Sequence, residues 1–320
     1  MNSPKSAHPW ALALRILISL AVLGLLVWAI LKLRAVLTQF DWVEMWTSVL
    51  HTPLWKLGLA MLAAIGSYAA IAGYGAITFR YAGKPLPPAR AGIVSFIITT
   101  FALNLGLAML TANLARVRLL SAEGYTPVQM LKSAIAYSVF VLIAPMLLAG
   151  IALSWSPIPL PANFPIDRGT TRPLGFIFLA VFLGIVIALS LRSRPISFRG
   201  MNLAAPDTGP LMRGLFFSTL EWVFAAMTLA VLLPETGMPL MQLLAVVFIA
   251  QFIAVASGVP GGIGVFEVVI VALTPDTVSQ SGLLGSILLY RAIYLLGPFL
   301  TSLVIFGWLE ISRARARVRS

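Results

Sequence analysis

Three charged side chains interrupt stretches of the chain that are otherwise apolar, and they are the residues best placed to do chemistry. Glu221 stands about ten residues into one stretch and Arg291 about eight residues into another, roughly 15 and 12 Å along a helix. Glu267 lies in a third, shorter apolar piece. A charge at the centre of a bilayer costs about 2.5–3.5 kcal/mol, so such groups pair or face a polar interior. We expect Arg291 to pair with Glu267 or Glu221; the alternatives are a purely structural ion pair and an Arg291 that extends to the membrane surface.

A glycine-rich turn precedes Glu267. Its informative residues are Pro260, Gly261, Gly262 and Gly264. Hydrocarbon cannot hydrogen-bond an opened backbone, so a turn at membrane depth must line a polar cavity or be buried in protein. Glycines permit unusual backbone angles, and the N–H groups that start the following helix would direct a positive dipole at an anionic headgroup or at Glu267. The alternative is an ordinary loop between two helices.

Other polar residues form a second rank of candidates for substrate binding. Arg116 and Arg118 follow another apolar stretch, and guanidinium groups hold phosphate bidentately, so the two could receive a lipid phosphate or could only determine topology. Tyr290 and Tyr294 lie four residues apart, on one helical face beside the buried arginine. Asn104 lies deep in its stretch and would need a polar partner there.

The residues that most enzymes and metal proteins need are scarce. The chain has no Cys, and its two histidines, His8 and His51, lie outside the apolar stretches. The four aspartates are isolated from one another, and no phosphate-binding glycine loop with its lysine occurs. We therefore expect no metal site, no cofactor and no enzymatic turnover by this chain alone.

The composition predicts an integral membrane protein. Of the 320 residues, 60% are hydrophobic and 10% are charged, against roughly 25% charged in a soluble domain. A bilayer core needs about 20 apolar residues per helical span, and the chain has eight candidate stretches. They cover residues 10–31, 54–79, 91–110, 128–153, 173–191, 211–233, 240–256 and 283–309. A further piece, residues 263–273, is too short to cross. The charged residues that give the net charge of +12 lie mostly between these stretches. This placement indicates loops at an anionic leaflet rather than binding of nucleic acid.

Lys and Arg counts on the two sides of the membrane decide between topologies. If all eight stretches cross, eleven such residues lie in the cytoplasm and ten outside. If residues 91–124 and 240–273 each form a re-entrant hairpin, the counts become sixteen inside and five outside. The second result has the asymmetry that the positive-inside rule expects. The predicted fold class is therefore all-α, with six spanning helices, two re-entrant helical hairpins and both termini in the cytoplasm.

This topology makes the chain an inverted repeat within one polytopic domain, residues 1–320. The two halves, about residues 10–153 and 173–309, each contain two spans, a hairpin and a third span, so they have opposite orientations. Inverted repeats occur in secondary transporters, where they place the binding site near the midplane. We expect residues 111–115 to break the first hairpin as residues 260–264 break the second.

Two motifs resemble the membrane region of the lysylphosphatidylglycerol synthase/flippase family. One is PGGIGVFE at residues 260–267 followed by YRAIY at 290–294. The other is Asn104 followed by LARVRLL at residues 114–120 and by Gly124. The resemblance spans essentially the whole chain, since stand-alone members are about this length. One departure is the run Thr-Ala-Asn at the expected first break, where the family pattern implies Gly or Pro.

The resemblance implies a bacterial inner-membrane protein that moves a lipid between leaflets, without the separate soluble domain that carries synthase activity. Three functions stay open: a flippase for an anionic phospholipid or a hopanoid, a transporter of a small solute, and a non-transporting partner of a lipid-synthesising enzyme. For the first, Arg116 and Arg118 would capture a headgroup at the cytoplasmic leaflet. Arg291, Glu267 and Glu221 would then screen it during passage.

Overall fold

The structure is a computed structural model that describes most of the chain. The described residues are 42–104, 108–158, 171–191, 196–198, 201–203, 207–257, 259–275 and 277–319. The predicted span at residues 10–31 lies outside them. Within these ranges the regular secondary structure is helical apart from one short antiparallel pair of strands. They are β1 (Ile196–Phe198) and β2 (Met201–Leu203), which lie between the predicted apolar stretches 173–191 and 211–233.

The described helices follow the predicted order. They are α1 (Trp42–Leu50), α2 (Leu54–Tyr81), α3 (Pro88–Asn104), α4 (Ala108–Ala122), α5 (Pro127–Trp155), α6 (Thr171–Ser190), α7 (Thr208–Leu232), α8 (Leu240–Ser257), α9 (Val265–Leu273), α10 (Gln280–Tyr290) and α11 (Gly297–Arg319). A 3-10 turn, Pro260–Gly262, precedes α9, and a π-helix, Arg291–Leu296, joins α10 to α11.

Five helical segments among the described residues are long and apolar enough to cross a membrane. They are α2, α5, α6, α7 and the continuous segment Gln280–Arg315 that runs from α10 into α11. Each coincides with one of the predicted apolar stretches, because about 20 apolar residues in a row form a helix that satisfies its own backbone. The chain is an all-α, multi-pass membrane protein.

Local signals fix where these helices begin. Thr126 starts α5 with a capping box: its side chain accepts from the Gln129 N–H at 3.3 Å, and the Gln129 side chain accepts from the Thr126 N–H at 2.9 Å. Pro127 follows at the first helical position, where its missing N–H costs nothing. The boundary of the longest described helix is therefore set by its sequence.

Helices α3 and α4 form a hairpin whose two ends meet. Arg90 near the start of α3 lies 2.5 Å from the Glu123 carboxylate just after α4. Lys84, after α2, donates to the Glu123 carbonyl at 2.7 Å. We call this the basic end of the molecule, where Lys84, Arg90, Arg118 and Arg313 gather around Glu123 and Glu310.

Helices α8 and α9 form a second hairpin that opens at the other end. Lys56, near the start of α2, donates to the carbonyl of Leu233 just after α7, at 3.1 Å. Ser286, in the helix after the second hairpin, donates to Leu232 at 2.8 Å. Since α2 is about 42 Å long, the end that holds Lys56 lies far from the end that holds Lys84. The open ends of the two hairpins therefore lie at opposite ends of α2.

The predicted first break is wrong in position. Thr111, Ala112 and Asn113 lie within α4. Polar residues are tolerated in a helix because the helix satisfies their backbone groups. The described part of α3 ends at Asn104 and that of α4 begins at Ala108, and the three residues that join the two helices lie outside the described residues.

Close packing of α2 on α7 builds the centre of the bundle. Gly73 of α2 lies under the ring of Phe217, where an added Cβ would come within 2.7 Å of ring carbon. Buried apolar side chains form one large cluster from α2, α5, α7, α8, α9 and α10, and a smaller one from α3, α4 and α11 at the basic end. The polar groups described below lie among these helices.

Candidate functional site

An ion pair holds the second hairpin to the helix that follows it. Arg291 donates to Oε1 of Glu267 from Nε at 2.8 Å and from Nη2 at 2.6 Å. Its Nη1 donates to the carbonyl of Gly261 at 2.9 Å. Both charged side chains are largely buried, with 15% and 13% of their surfaces exposed. Of the two expected partners, Arg291 takes Glu267 rather than Glu221.

The glycine turn adopts the conformations that only glycine takes easily. Gly261, Gly262 and Gly264 have φ values of 59°, 62° and 82°. The Gly264 N–H donates to Oε2 of Glu267 at 2.8 Å, so this carboxylate caps the first turn of α9 while its other oxygen binds Arg291. Pro260 opens the turn as the first residue of the 3-10 segment. The turn, the cap and the ion pair form one unit.

The tips of the two hairpins meet at this unit. The carbonyl oxygen of Leu103, in the last turn of α3, lies 3.6 Å from the position that a Cβ on Gly261 would occupy. Asn104, the last residue of α3, donates to the carbonyl of Leu295 in the π-helix at 3.3 Å. The first hairpin therefore contacts both the glycine turn and the π-helix.

The π-helix has an identifiable cause. Pro298 has no N–H, so it cannot donate to the carbonyl four residues earlier, that of Tyr294. Instead, the Gly297 N–H bonds five residues back, to Ala292, and the hydroxyl of Tyr68 donates to the Tyr294 carbonyl at 2.9 Å. Such π-bulges occur frequently at functional sites.

Aromatic rings stack along one side of the ion pair. Tyr290 lies between Phe266 and Tyr294, with ring centroids 5.6 and 5.2 Å apart and planes 21° and 11° from parallel. Gln251 of α8 donates to the Tyr290 hydroxyl at 3.3 Å. The predicted common face of Tyr290 and Tyr294 is thus observed, although π-helical geometry begins between them.

Glu221 contacts the Tyr294 end of the aromatic stack and has different partners from Glu267. Its Oε1 accepts a hydrogen bond from the Tyr294 hydroxyl at 3.3 Å, and that hydroxyl is 3.0 Å from Oγ of Ser67. Among the described residues, no Lys, Arg or His nitrogen lies within 4.0 Å of the Glu221 carboxylate. The carboxylate is half-buried and is bonded only to a neutral hydroxyl in the described part of the chain.

Arg116 is a buried cation with a different environment. Only 5% of its surface is exposed, and its guanidinium lies 5.3 Å from the ring centroid of Tyr137. Its Nη1 donates to Ser133 at 3.4 Å, and its Nε has no partner within the described residues. The Tyr137 hydroxyl bonds to Thr99 at 2.6 Å and to Tyr74 at 3.1 Å. Burial lowers the pKa of Arg116, which nonetheless keeps its charge because the usual guanidinium pKa exceeds 12.

Arg118 does not join Arg116, contrary to the expectation that the two act together. It lies on the opposite face of α4, exposed, and pairs with Glu310 of α11. Residues two apart on a helix point in different directions, so one guanidinium turns into the bundle and the other to the surface. Glu310 also pairs with Arg313 at 3.1 Å, so Arg118 belongs to the ion pairs of the basic end.

The loop after α4 is anchored by side-chain contacts at the basic end. The Tyr125 hydroxyl donates to the Lys84 carbonyl, and the Lys84 ammonium lies 5.5 Å from the Tyr125 ring centroid. Burial and the nearby Glu123 carboxylate raise the pKa of Tyr125 to about 12, so the phenol stays a donor. The contact fixes the loop through which the first hairpin connects to α5.

Several residues that shape the site were not predicted from the sequence. They are the hydrogen-bonding residues Ser67, Tyr68, Tyr74, Thr99 and Tyr137, together with Pro298. A signal existed for the tyrosines, because a tyrosine in the middle of an apolar stretch needs a partner for its hydroxyl. Pro298 carried one too, because a proline inside an apolar stretch leaves a carbonyl without its donor.

The described polar groups differ in charge and in hydrogen-bonding capacity. They include a buried cation, a carboxylate without a cationic partner, and a series of hydroxyls that donate or accept. In the described part of the chain, no group of three or more His, Asp or Glu residues is placed to hold a metal ion.

The chain is similar to other proteins over nearly its whole length. A family model described as "Lysylphosphatidylglycerol synthase TM region" matches residues 12–302. "Uncharacterized protein slr0712" of Synechocystis sp. (strain ATCC 27184) is 25% identical over an alignment of 299 positions, and the match covers 92% of each chain. "Inner membrane protein YbhN" of Escherichia coli (strain K12) is 26% identical over an alignment of 325 positions, gaps included, and the match covers 98% of each chain. The family match includes both hairpins and the π-helix.

Proposed function

This chain belongs to the lysylphosphatidylglycerol synthase TM region family, and from that premise we propose that it is a flippase that moves an anionic phospholipid between the leaflets of a bacterial inner membrane. One arrangement supports the proposal: the two helical hairpins have their open ends at opposite ends of the bundle, and the last turn of α3 lies against the glycine turn that binds the Arg291–Glu267 pair. Backbone that turns at membrane depth is tolerated where it is buried or lines a polar path.

The orientation proposed for the chain follows from its basic end. Loops rich in Lys and Arg stay in the cytoplasm, so the end that gathers Lys84, Arg90, Arg118 and Arg313 is assigned to that side. The first hairpin then re-enters from the cytoplasm and the second from the outside. An even number of spans, with residues 10–31 as the first, leaves both termini cytoplasmic.

Within this scheme, Arg116 receives the headgroup phosphate. It is buried, it has no carboxylate within 4.0 Å among the described residues, and its Nε has no partner there. A phosphate oxygen would satisfy that N–H and neutralise the charge. Arg118 has its own carboxylate in Glu310 and stays outside the path.

The headgroup then passes the meeting point of the hairpins while the acyl chains remain in lipid. Arg291 stays bound to Glu267, so the pair offers a dipole rather than a net charge that would trap an anion. Asn104 and the tyrosine hydroxyls replace the water lost by the headgroup. This role is transport, and the proposal assigns no bond-making step to the chain.

Leaflet exchange in vesicles tests the proposal. The full chain is reconstituted with fluorescent phosphatidylglycerol, and a membrane-impermeant reductant bleaches the outer-leaflet probe. Bleaching beyond the outer-leaflet fraction is expected with the wild-type chain. Arg116→Ala should abolish it, whereas Arg315→Ala, which changes an exposed arginine of α11, should not.

Two results would contradict the proposal. One is bleaching that is equal in vesicles with and without the protein. The other is uptake of a water-soluble solute with no lipid exchange, which would favour a solute transporter. Exchange of a hopanoid but not of phosphatidylglycerol would keep the flippase function and change the cargo.

A further inference from the structure

The two carboxylates inside the apolar stretches, Glu267 and Glu221, have different binding partners. Glu267 binds Arg291 and the Gly264 N–H. Glu221, in the middle of the 25-residue helix α7, binds a tyrosine hydroxyl and has no cationic nitrogen within 4.0 Å among the described residues. A charge held in an apolar bundle without a counter-ion is costly, so an uncompensated carboxylate marks a functional group.

Within the described ranges, the groups found to interact with the Glu221 carboxylate are all neutral. Five phenols lie close enough to interact electrostatically with its carboxylate; they are Tyr68 and Tyr74 of α2, Tyr137 of α5, Tyr290 of α10 and Tyr294 of the π-helix. Helix α8 contains no ionisable residue. Two buried arginines of the bundle bind other groups: Arg291 binds Glu267 and Gly261, and Arg116 binds Ser133 and lies against the Tyr137 ring.

From this arrangement we propose that Glu221 is a proton-binding site and that proton binding there drives the lipid movement proposed above, on which this inference rests. A proton is favoured over a metal cation because the Glu221 carboxylate is bonded to the Tyr294 hydroxyl, which lies next to Ser67, and no metal-binding group of three acidic or histidine side chains occurs among the described residues. The proton enters from water on one side of the membrane and leaves to the other, and no bond other than O–H forms or breaks.

The π-helix supplies the mechanical connection. When Glu221 is ionised, the Tyr294 hydroxyl donates to it; when Glu221 is protonated, the carboxyl donates and the Tyr294 hydroxyl turns to Ser67, 3.0 Å away. Tyr294 lies three residues after Arg291 in the π-helix, whose carbonyls are held by Tyr68 and Asn104. A change at Glu221 therefore reaches the ion pair and the tip of the first hairpin through one short segment.

Two measurements on the full chain test the proposal. Infrared difference spectroscopy across a pH titration detects the carbonyl stretch of a protonated carboxylic acid, and Glu221→Gln assigns it. Lipid exchange is then measured in vesicles with and without an imposed pH gradient. The wild type should show both a Glu221 band and an exchange rate that changes severalfold with the gradient.

Matched variants separate a proton site from a merely structural residue. Glu221→Asp keeps a titratable group and should retain the response to the gradient. Glu221→Gln should lose both the band and the response. Size-exclusion profiles and helical circular dichroism of the variants, compared with the wild type, show whether they fold; if Glu221→Gln does not fold, the aspartate band and its gradient response decide.

The proposal is overturned if no infrared band changes in Glu221→Gln, if that variant responds to the gradient like the wild type, or if a sodium gradient at equal pH drives the exchange. Exchange that occurs equally with and without a pH gradient refutes proton coupling while the flippase function survives. A Glu221 band in a chain that exchanges no lipid refutes the flippase function while the proton site survives.

Discussion

Arg291 donates two hydrogen bonds to one oxygen of Glu267, at 2.8 and 2.6 Å, and uses its remaining amino group for the Gly261 carbonyl at 2.9 Å. The other oxygen of Glu267 caps α9 at Gly264. One pair of side chains therefore joins the π-helix, the glycine turn and the second hairpin. Several consequences of this pairing can be measured.

Removing either partner of the pair should be costly, and the loss from removing both should be smaller than the sum of the two single losses. Arg291→Ala leaves the Glu267 carboxylate buried without its cation, for which about 3–5 kcal/mol of stability is expected to be lost. Arg291→Lys should be intermediate, because an ammonium cannot match the planar set of donors that serves Glu267 and Gly261 together. Equilibrium unfolding in mixed micelles measures both variants.

The control for this prediction is Arg315→Ala, which removes an exposed arginine and should change the unfolding free energy by less than about 0.5 kcal/mol. A double variant of Arg291→Ala and Glu267→Ala should be more stable than the sum of the single losses implies. Strict additivity would show that the two side chains do not stabilise each other.

The glycine turn should tolerate no side chain at Gly262. Its φ is 62°, and an added Cβ would lie 2.6 Å from Cβ of Ala254, so Gly262→Ala combines an unfavourable backbone angle with a clash in the second hairpin. We expect a loss of at least about 1–3 kcal/mol. Gly58→Ala in α2 is the matched control: its Cβ meets nothing within 4 Å, and it should stabilise the helix by about 1 kcal/mol. Equal thermal stability of the two variants would contradict the strained turn.

The Tyr68 hydroxyl should matter only while Pro298 is present. Tyr68→Phe keeps the edge-on contact with Phe96 but leaves the buried Tyr294 carbonyl without a donor, which is expected to cost about 1–3 kcal/mol. Pro298→Ala restores an N–H that can reach the Tyr294 carbonyl as in an ordinary α-helix. In that background Tyr68→Phe should cost clearly less. A double-mutant cycle of unfolding free energies tests this. If Tyr68→Phe costs as much in the Pro298→Ala background as in the wild type, the missing N–H of Pro298 is not the cause of the π-helix.

The sequence alone predicts features that are set within one segment of the chain or by a single large free-energy cost. Long apolar runs place α2, α5, α6 and α7, and the cost of a buried charge predicts a partner for Arg291. It was insufficient for contacts between distant segments. Nothing local to Arg116 places it against Tyr137 while Arg118 reaches Glu310, which is 192 positions away.

The first helix break shows why a local signal can mislead. The polar run at residues 111–113 suggested a turn, yet a helix keeps its own backbone satisfied and admits polar side chains where protein or headgroups surround them. A proline inside an apolar stretch is a stronger signal, and Pro298 is such a residue beside the π-helix.

The opposite openings of the two hairpins predict a labelling pattern for single cysteines. Ser121, exposed near the end of α4, lies at the basic end with Glu123; Glu235, exposed after α7, lies at the end that holds Lys56 and Leu233. Because the native chain has no Cys, each introduced thiol reports only its own position. In intact cells a membrane-impermeant maleimide should label Glu235→Cys at once and Ser121→Cys only after permeabilisation, since positively charged loops stay inside. Labelling of both from outside would place the start of α3 and the end of α4 on different sides of the membrane, and the first hairpin would then be a crossing rather than a return.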